Sequence, residues 1–370
     1  MKDKTVISSK QLFAMIILFE FGTSLVLPTG LQAEQGAWLS LLIALPAGIV
    51  LYLIFDYLYR QYPTMILSQY IRKIVGAYVG WPLSLLYISF FIYCGSRNLR
   101  EAGDLLITTS YDMTPIFYIH LTMIIGVIYV LRKGLEVLFR LGEIYLIITL
   151  CLGLFSHIMI LISGLVDYKN LLPINAGGWK AILHAAFPFT FSFPFAEVIT
   201  FTTVLPHMKN AKLAKKAGIA AMAFSGIMLS YTHAIEIAVL GPDIYGRAVF
   251  PLLTMIGIVN IAEFIQRLDA MVILTLIIGV FFKMTVYAYA AISVASDIFR
   301  IDEKRKMAYP IGIIILFISM MSAWSFPEHG EEGNLSELFI QPLFNTYLPI
   351  LIFIIVVIRK WIDRYRMNGV

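Results

Sequence analysis

The stretch Phe187-Pro188-Phe189-Thr190-Phe191-Ser192-Phe193-Pro194-Phe195-Ala196-Glu197 places two prolines six residues apart within an apolar segment. Proline lacks a backbone N–H, and its ring clashes with the carbonyl four residues back. A continuous helix through this stretch is therefore not expected. A second stretch, Phe19-Glu20-Phe21-Gly22-Thr23-Ser24-Leu25-Val26-Leu27-Pro28-Thr29-Gly30, carries the same kind of interruption. Gly22 and the two hydroxyl residues after it weaken the helix, and Pro28 clashes with the carbonyl of Ser24.

The surrounding composition decides what these interruptions mean. Of 370 residues, 59% are hydrophobic and 14% charged, and the mean hydropathy is +0.83. Soluble domains carry about 45–50% apolar and about 25% charged residues. The composition excludes a soluble globular fold, disorder, collagen, a disulfide scaffold and a nucleic-acid-binding module. Cys94 and Cys151 both lie in apolar runs and read as buried thiols packed as small hydrophobes. The basic start reads as the flank of an uncleaved first membrane helix. A cut after Ala33 would put Leu31 where a small residue is preferred, and Glu20 interrupts the apolar run.

A helix needs about 20 apolar residues to cross the hydrocarbon core. Ten stretches qualify, over residues 10–33, 37–59, 80–108, 115–132, 141–166, 181–205, 214–240, 258–298, 307–326 and 343–362. A short lateral helix is expected near 249–257, before the eighth. With the N-terminus inside, 21 of the 28 basic residues fall in inner segments: Lys2–Lys10, Arg60–Lys73, Arg132–Arg140, Lys209–Lys216, Arg300–Lys306 and Arg359–Arg366. Only Lys169, Lys180 and Arg247 fall in outer loops. This bias predicts an even number of spans with both termini cytoplasmic. The net charge of +5 thus marks orientation rather than a basic partner. The acidic loop with Glu328, Glu331, Glu332 and Glu337 is expected outside.

The interrupted stretches are spans 1 and 6, the first helices of two five-helix halves, residues 1–166 and 167–370. Either interruption alone reads as an ordinary proline kink. Their matched placement points instead to an inverted repeat with a binding cavity at mid-membrane, because broken backbone is tolerated in lipid only where it lines a cavity or is buried in protein.

Ten spans, an inside N-terminus and breaks in spans 1 and 6 resemble the amino acid–polyamine–organocation superfamily with its LeuT-type fold. The run Phe191-Ser192-Phe193-Pro194-Phe195-Ala196-Glu197 is similar to that superfamily's Phe-x-Phe-x-Gly-x-Glu pattern, with Phe195 where glycine is usual. The sequence further resembles the B subunits of endospore germinant receptors, the spore germination permease family. The start Lys4-Thr5-Val6-Ile7-Ser8-Ser9-Lys10-Gln11-Leu12, the stretch Pro194-Phe195-Ala196-Glu197, the inner loop His207-Met208-Lys209-Asn210 and the end of span 8 at Asp297-Ile298-Phe299 carry this resemblance. It implies a nutrient-sensing subunit working beside an A subunit and a lipoprotein C subunit in the spore inner membrane.

Ionisable groups inside spans are functional candidates by default. Glu20 sits just before the first break, Glu197 just after the second, and Lys283 deep in span 8. Spans 1 and 8 touch beside the ion site in LeuT-type folds, so Glu20 and Lys283 are expected to approach each other for ion coupling or gating. Glu197 either holds a ligand's amino group or anchors the broken segment. Arg97–Glu101, Arg100–Asp104 and Glu263–Arg267 stand four residues apart and read as structural ion pairs. Gly22, Thr23, Ser24, Thr190, Phe191, Ser192, Phe193 and Glu197 are the candidate ligand-binding residues. Half-helix amino ends favour a carboxylate, and an aromatic face or Glu197 favours an ammonium, which suits a small amino acid. His120, His157, His184 and His233, the last near Glu236, read as ordinary hydrogen-bonded histidines. No metal, cofactor or nucleic-acid signature occurs, and no nucleophile or phosphate-loop motif points to an enzyme. A proton-coupled amino-acid symporter or exchanger and a passive water or ion pathway remain the alternatives to a sensing subunit.

Overall fold

The first helix begins with a reciprocal cap. Ser8 Oγ accepts from the backbone N–H of Gln11 at 3.1 Å, and the Gln11 side chain accepts from the N–H of Ser8 at 3.0 Å. The computed structural model describes residues 6–259, 269–323 and 325–368. These form α1 (Ser9–Phe21), α2 (Ala37–Gln61), α3 (Leu67–Val75), α4 (Ala77–Thr109), α5 (Ile116–Lys133), α6 (Leu135–Ser163) and α7 (Gly178–His184). The chain continues through α8 (Ala211–Arg247), α9 (Pro251–Gly257), α10 (Asp269–Ile298), α11 (Ala308–Met321), α12 (Phe326–Leu335) and α13 (Leu348–Asn368). Short 3-10 and π segments join them. Among the described residues no strand forms; a single bridge pairs Ile7 with Met208.

Among the described residues, eight helical stretches are long and apolar enough to cross a membrane: Leu31–Gln61, Ala77–Thr109, Ile116–Lys133, Leu135–Ser163, Gly178–Thr203, Ala211–Arg247, Asp269–Ile298 and Glu328–Arg364. The other two of the ten expected spans correspond to α1 and α11, which have only 13 and 14 helical residues. The expected lateral helix is α9. The acidic residues around Glu332 do not form a loop. Ser325 caps α12, and the helical run continues into α13. Hydropathy cannot see this, because a polar helix and a polar loop have the same mean.

Interactions between distant parts of the chain define one basic end of the bundle. The N–H of Ile7 donates to the carbonyl of His207 at 2.9 Å, and that of Lys209 donates back to Ile7 at 3.1 Å. Arg60 donates to the carbonyl of Ala211 at 3.0 Å, and Lys360 bonds Gln61. Asp297, at the end of α10, accepts from three side chains of α3: Ser68 at 2.5 Å, Gln69 at 2.9 Å and Arg72 at 2.8 Å. The core lies at the centre, where α10 packs along α1, α4 and α6. Cys94 is buried, but Cys151 is exposed on the outward face of α6. An apolar run in a membrane protein can face lipid as well as core, so a helix of this kind does not by itself bury a thiol.

Replacing Asp297 by Ala should lower unfolding stability in detergent by about 1.5–3 kcal/mol, the worth of hydrogen bonds to a charged group. Unchanged thermal unfolding would show that α3 is held by its apolar face alone.

Candidate functional site

α1 ends at Phe21, and Gly22 leaves the helix at φ 18° and ψ −120°. Residues 22–30 are held by short turns, including Leu25 N–H to Phe21 at 3.0 Å and Leu27 N–H to Thr23 at 3.0 Å. α10 closes directly on this point. A Cβ on Gly279 would stand 3.0 Å from the carbonyl oxygen of Gly22, and one on Gly22 would stand 2.5 Å from Cδ of Lys283. Two glycines therefore allow the interrupted strand of chain and the lysine stem to pass at contact distance.

The freed backbone of span 1 is satisfied by α8. His233 Nε2 donates to the carbonyl of Ser24 at 3.1 Å. The Tyr245 hydroxyl donates to the carbonyl of Thr29 at 3.0 Å and accepts from its N–H at 3.2 Å. His233 Nδ1 lies 2.7 Å from Glu236 and 3.2 Å from the Tyr245 hydroxyl, and all three side chains are buried. His233 is hydrogen-bonded to the Glu236 that the sequence places near it, and in addition to the backbone of span 1, which the sequence does not indicate. The three residues clasp the backbone of the interruption.

In span 6, the α-helical pattern is lost after His184 and Phe187 adopts extended angles of φ −132° and ψ 119°. After Pro194 the chain winds as a 3-10 helix over Phe195–Thr203. Thr190 Oγ1 donates to the carbonyl of Ala185 at 2.8 Å and lies 3.1 Å from the Ser40 hydroxyl.

Lys283 Nζ lies 2.6 Å from Glu197 Oε2, with the lysine side chain fully buried. Its ammonium stands 4.3 Å from the centre of the Phe193 ring and 5.5 Å from that of Phe19. Lys283 makes its direct ion pair with Glu197 rather than with Glu20, which is near enough to feel its charge. The lysine stem runs across Gly22, and its head points onward to span 6. Glu20 is fully buried and feels the charges of Lys283 and Glu197, yet both its oxygens are without a hydrogen-bond partner among the described residues.

Next to this pair lies a polar cavity of about 240 Å³. Leu27, Pro28 and Leu31 form one wall and Phe193 and Glu197 another. Cys94, Arg97, Asn98 and Glu101 present the α4 wall, spaced i, i+3, i+4 and i+7 on one helix face. α12 and the π segment Ser336–Ile340 close the remaining side with His329, Asn334 and Glu337. A smaller recess of about 110 Å³ adjoins it, lined by Thr29, Gly30, Thr190, Phe193 and Glu337. Of the candidate ligand residues, Thr190, Phe193 and Glu197 face these spaces. Gly22, Thr23, Ser24, Phe191 and Ser192 line neither.

Arg97 lies 3.7 Å from Glu101 and 3.2 Å from Glu332, tying α4 to α12. His329 stands 3.8 Å from both carboxylates. Arg100 holds Asp104 at 2.9 Å and donates to the carbonyl of Ala323 at 2.9 Å. Glu263 and Arg267 lie outside the described residues. His120 bonds Ser319 at 3.0 Å, His157 bonds Tyr231 at 2.5 Å, and His184 packs on Phe189. Among the described residues no cluster of His, Cys, Asp and Glu is suited to a metal ion. Sequence reasoning missed Glu332, Glu337 and His329, because nothing local shows that the acidic segment folds back over span 3.

Residues 6–327 match the model of a family described as "Spore germination protein". The chain belongs to the spore germination protein family. Within it, the chain is 38% identical to spore germination protein KB of Bacillus subtilis (strain 168), over 97% of this chain and 96% of that one. It is 24% identical to spore germination protein YndE of the same organism, over 90% and 89%. The fold is shared with MhsT in complex with L-phenylalanine, at a TM-score of 0.71 and 13% identity over 95% of this chain and 89% of that one. Mhp1, a nucleobase-cation-symport-1 family transporter in a closed conformation with bromovinylhydantoin bound, gives 0.64 and 11% over 93% and 78%. Family and apolar helices together make the chain an integral membrane protein with the LeuT-type fold.

Lys283→Met leaves a buried carboxylate unpaired and should cost about 3–5 kcal/mol of stability. The double variant Lys283→Met/Glu197→Gln should recover most of that, measured by unfolding in detergent. A double-variant loss equal to the sum of the losses of Lys283→Met and Glu197→Gln would mean that the two groups are not coupled. Tyr245→Phe strands the buried N–H and carbonyl of Thr29 and should cost about 1–3 kcal/mol in the same assay.

Proposed function

We propose that this protein is the nutrient-sensing membrane subunit of a spore germinant receptor and that its ligand is a small amino acid. The observation that carries the reading is the polar cavity between the interruption of span 1, Phe193 and Glu197 of span 6, and the charged face of α4. Its volume of about 240 Å³ falls below the roughly 300–1,000 Å³ typical of pockets for drug-sized ligands. The ligand is correspondingly small.

The charges around the cavity define its chemistry. Arg97 offers a planar fork for a carboxylate. Lys283 is committed to Glu197. Glu337 faces both the cavity and its recess and is the group for an ammonium, beside the aromatic face of Phe193. A zwitterion bridging Arg97 and Glu337 satisfies both ends. MhsT, with the same fold, holds L-phenylalanine, which supports an amino acid in this architecture.

Binding between span 1, span 6 and α12 favours one packing of these elements over another, and partner subunits read the difference. The resemblance to germinant receptors supplies the partners: an A subunit and a lipoprotein C subunit. The basic end, with Arg60, Arg72, Lys209 and Lys360, is the cytoplasmic, spore-core side by the positive-inside rule, and the spore inner membrane is the location. Within this reading the chain divides into halves at residue 166, and the ten-span arrangement is kept with α1 and α11 as shortened spans.

A proton-coupled exchanger is the second reading, favoured by one observation: beside the Lys283–Glu197 pair, Glu20 is a buried carboxyl group without a hydrogen-bond partner among the described residues. It is placed to take up and release a proton as span 1 moves.

The test is binding and counterflow of labelled amino acids with the full chain in proteoliposomes. Arg97→Gln should weaken binding about 10- to 100-fold, the loss of one charged hydrogen bond or more. Absence of binding by any amino acid, or binding indifferent to Arg97→Gln and Glu337→Gln alike, would overturn the reading. Binding without counterflow favours the sensor. Counterflow whose pH dependence disappears in Glu20→Gln favours the exchanger.

A further inference from the structure

A second and larger cavity, about 380 Å³, lies on the other side of the span 1 interruption. α6, α8, α9 and α10 wall it, and Phe21 and Leu25, which flank the interruption, complete it. The lining is nearly all apolar. Ser156, Thr232 and Thr275 are among its few polar residues, and the hydroxyls of Thr232 and Thr275 are bonded within their own helices at 2.9 Å. Thr149 differs: it is 3% exposed and its hydroxyl has no hydrogen-bond partner among the described residues. His157 and Tyr231, bonded to each other, line the same space.

We infer that this cavity is a seat for the acyl chain of a membrane lipid entering between α6 and α8. Three features identify the occupant. First, the helix that forms one side of the entrance is the most lipid-facing of the eight apolar spans, with only 22% of its apolar window buried. Leu150 and Leu154 of α6 and Tyr231 of α8 are exposed and line the cavity at the same time, so the seat is continuous with the lipid-facing surface. Second, the deep wall consists of Ile160, Met255 and Val272, at 3%, 1% and 4% exposure, which no lipid at the perimeter can touch. Third, the chemistry is that of a chain with few polar atoms. Its mostly apolar lining offers water few partners. Lipid tails are as apolar as leucine, so the gain from filling it is dispersion contact rather than exclusion of water. Thr149 supplies one hydroxyl for an ester or other oxygen.

The glycine at the entrance makes the inference testable. A Cβ on Gly153 would have no heavy atom within 4 Å. Gly153 lines the cavity, so a phenylalanine there starts from open space and is expected to occupy the room a chain would take.

The experiment uses the full chain in phosphatidylglycerol–phosphatidylcholine vesicles containing a phospholipid with a diazirine on its acyl chain. After irradiation, labelled positions are mapped by mass spectrometry. Label is expected on Met255 and Val272 as well as on exposed Leu154. Gly153→Phe should lower label on Met255 and Val272 about tenfold and leave that on the exposed control Ile162 unchanged. Gly153→Leu, a smaller filler, should give an intermediate loss. Ile162→Phe, on the same helix outside the cavity, should change nothing. Label confined to exposed residues, or label on Met255 and Val272 that persists in Gly153→Phe, overturns the proposal. Equal label on Ile162 in the Gly153 variants, and on exposed Leu154 in Ile162→Phe, shows that each is folded and inserted.

Discussion

A helix that stops in the middle of a membrane leaves backbone N–H and C=O groups that lipid cannot satisfy, at several kcal/mol for each. Two such stops in one chain dictate much of this structure. The interruption of span 1 needs donors and an acceptor from a neighbour, and α8 supplies them through His233 and Tyr245. Glu236 then holds the second nitrogen of His233. Span 6 solves the same problem locally, with Thr190 returning a hydroxyl to Ala185 and a 3-10 winding beyond Pro194. The apolar helices pack around these fixed points, and the cavities lie where the two interruptions keep helices apart.

The buried ion pair follows from the same geometry. Lys283 is carried by α10, which presses on Gly22 closely enough that the glycine cannot bear a side chain without displacement. The lysine therefore has one direction left, across the interruption toward Glu197. Aromatic rings of Phe193 and Phe19 cover its ammonium. A buried pair of this kind is weak evidence for stability, since both charges are desolvated. Its effect here is to bind span 6 to α10 while Glu20, two residues before Gly22, has no hydrogen-bond partner among the described residues.

Much of this architecture was legible in the sequence. Pro28, Pro188 and Pro194 marked the interruptions, and the spacing of Arg97, Glu101, Arg100 and Asp104 gave their pairing within α4. Apart from Glu197, which lines the polar cavity, several of the residues that carry the family resemblance proved to have plain structural work. Ser8 and Gln11 cap α1, Asn210 caps α8, and Asp297 gathers Ser68, Gln69 and Arg72. All of them sit at the basic end, away from the polar cavity. What was not legible depends on long-range packing. The direction of Lys283 depends on a glycine over 250 residues away in the chain. The clasp of His233 and Tyr245 depends on a backbone carbonyl, which no side-chain pattern reveals. Glu332 and Glu337 look like solvated loop residues until α12 is laid across span 3. Hydropathy also cannot tell where α1 stops being a helix.

That last element has a mechanical consequence. From Phe326 to Asn368 the chain is helical almost without interruption, passing through π segments at Ser336–Ile340 and Leu343–Tyr347. Its beginning roofs the polar cavity through His329 and Asn334, with Glu332 paired to Arg97, and its far part reaches the basic end, where Lys360 meets Gln61. Any molecule that dislodges Glu332 from Arg97 pushes on the top of a single rod whose foot stands at the opposite face. A displacement then crosses the bundle along one covalent element, with the widened turns between acting as its joint.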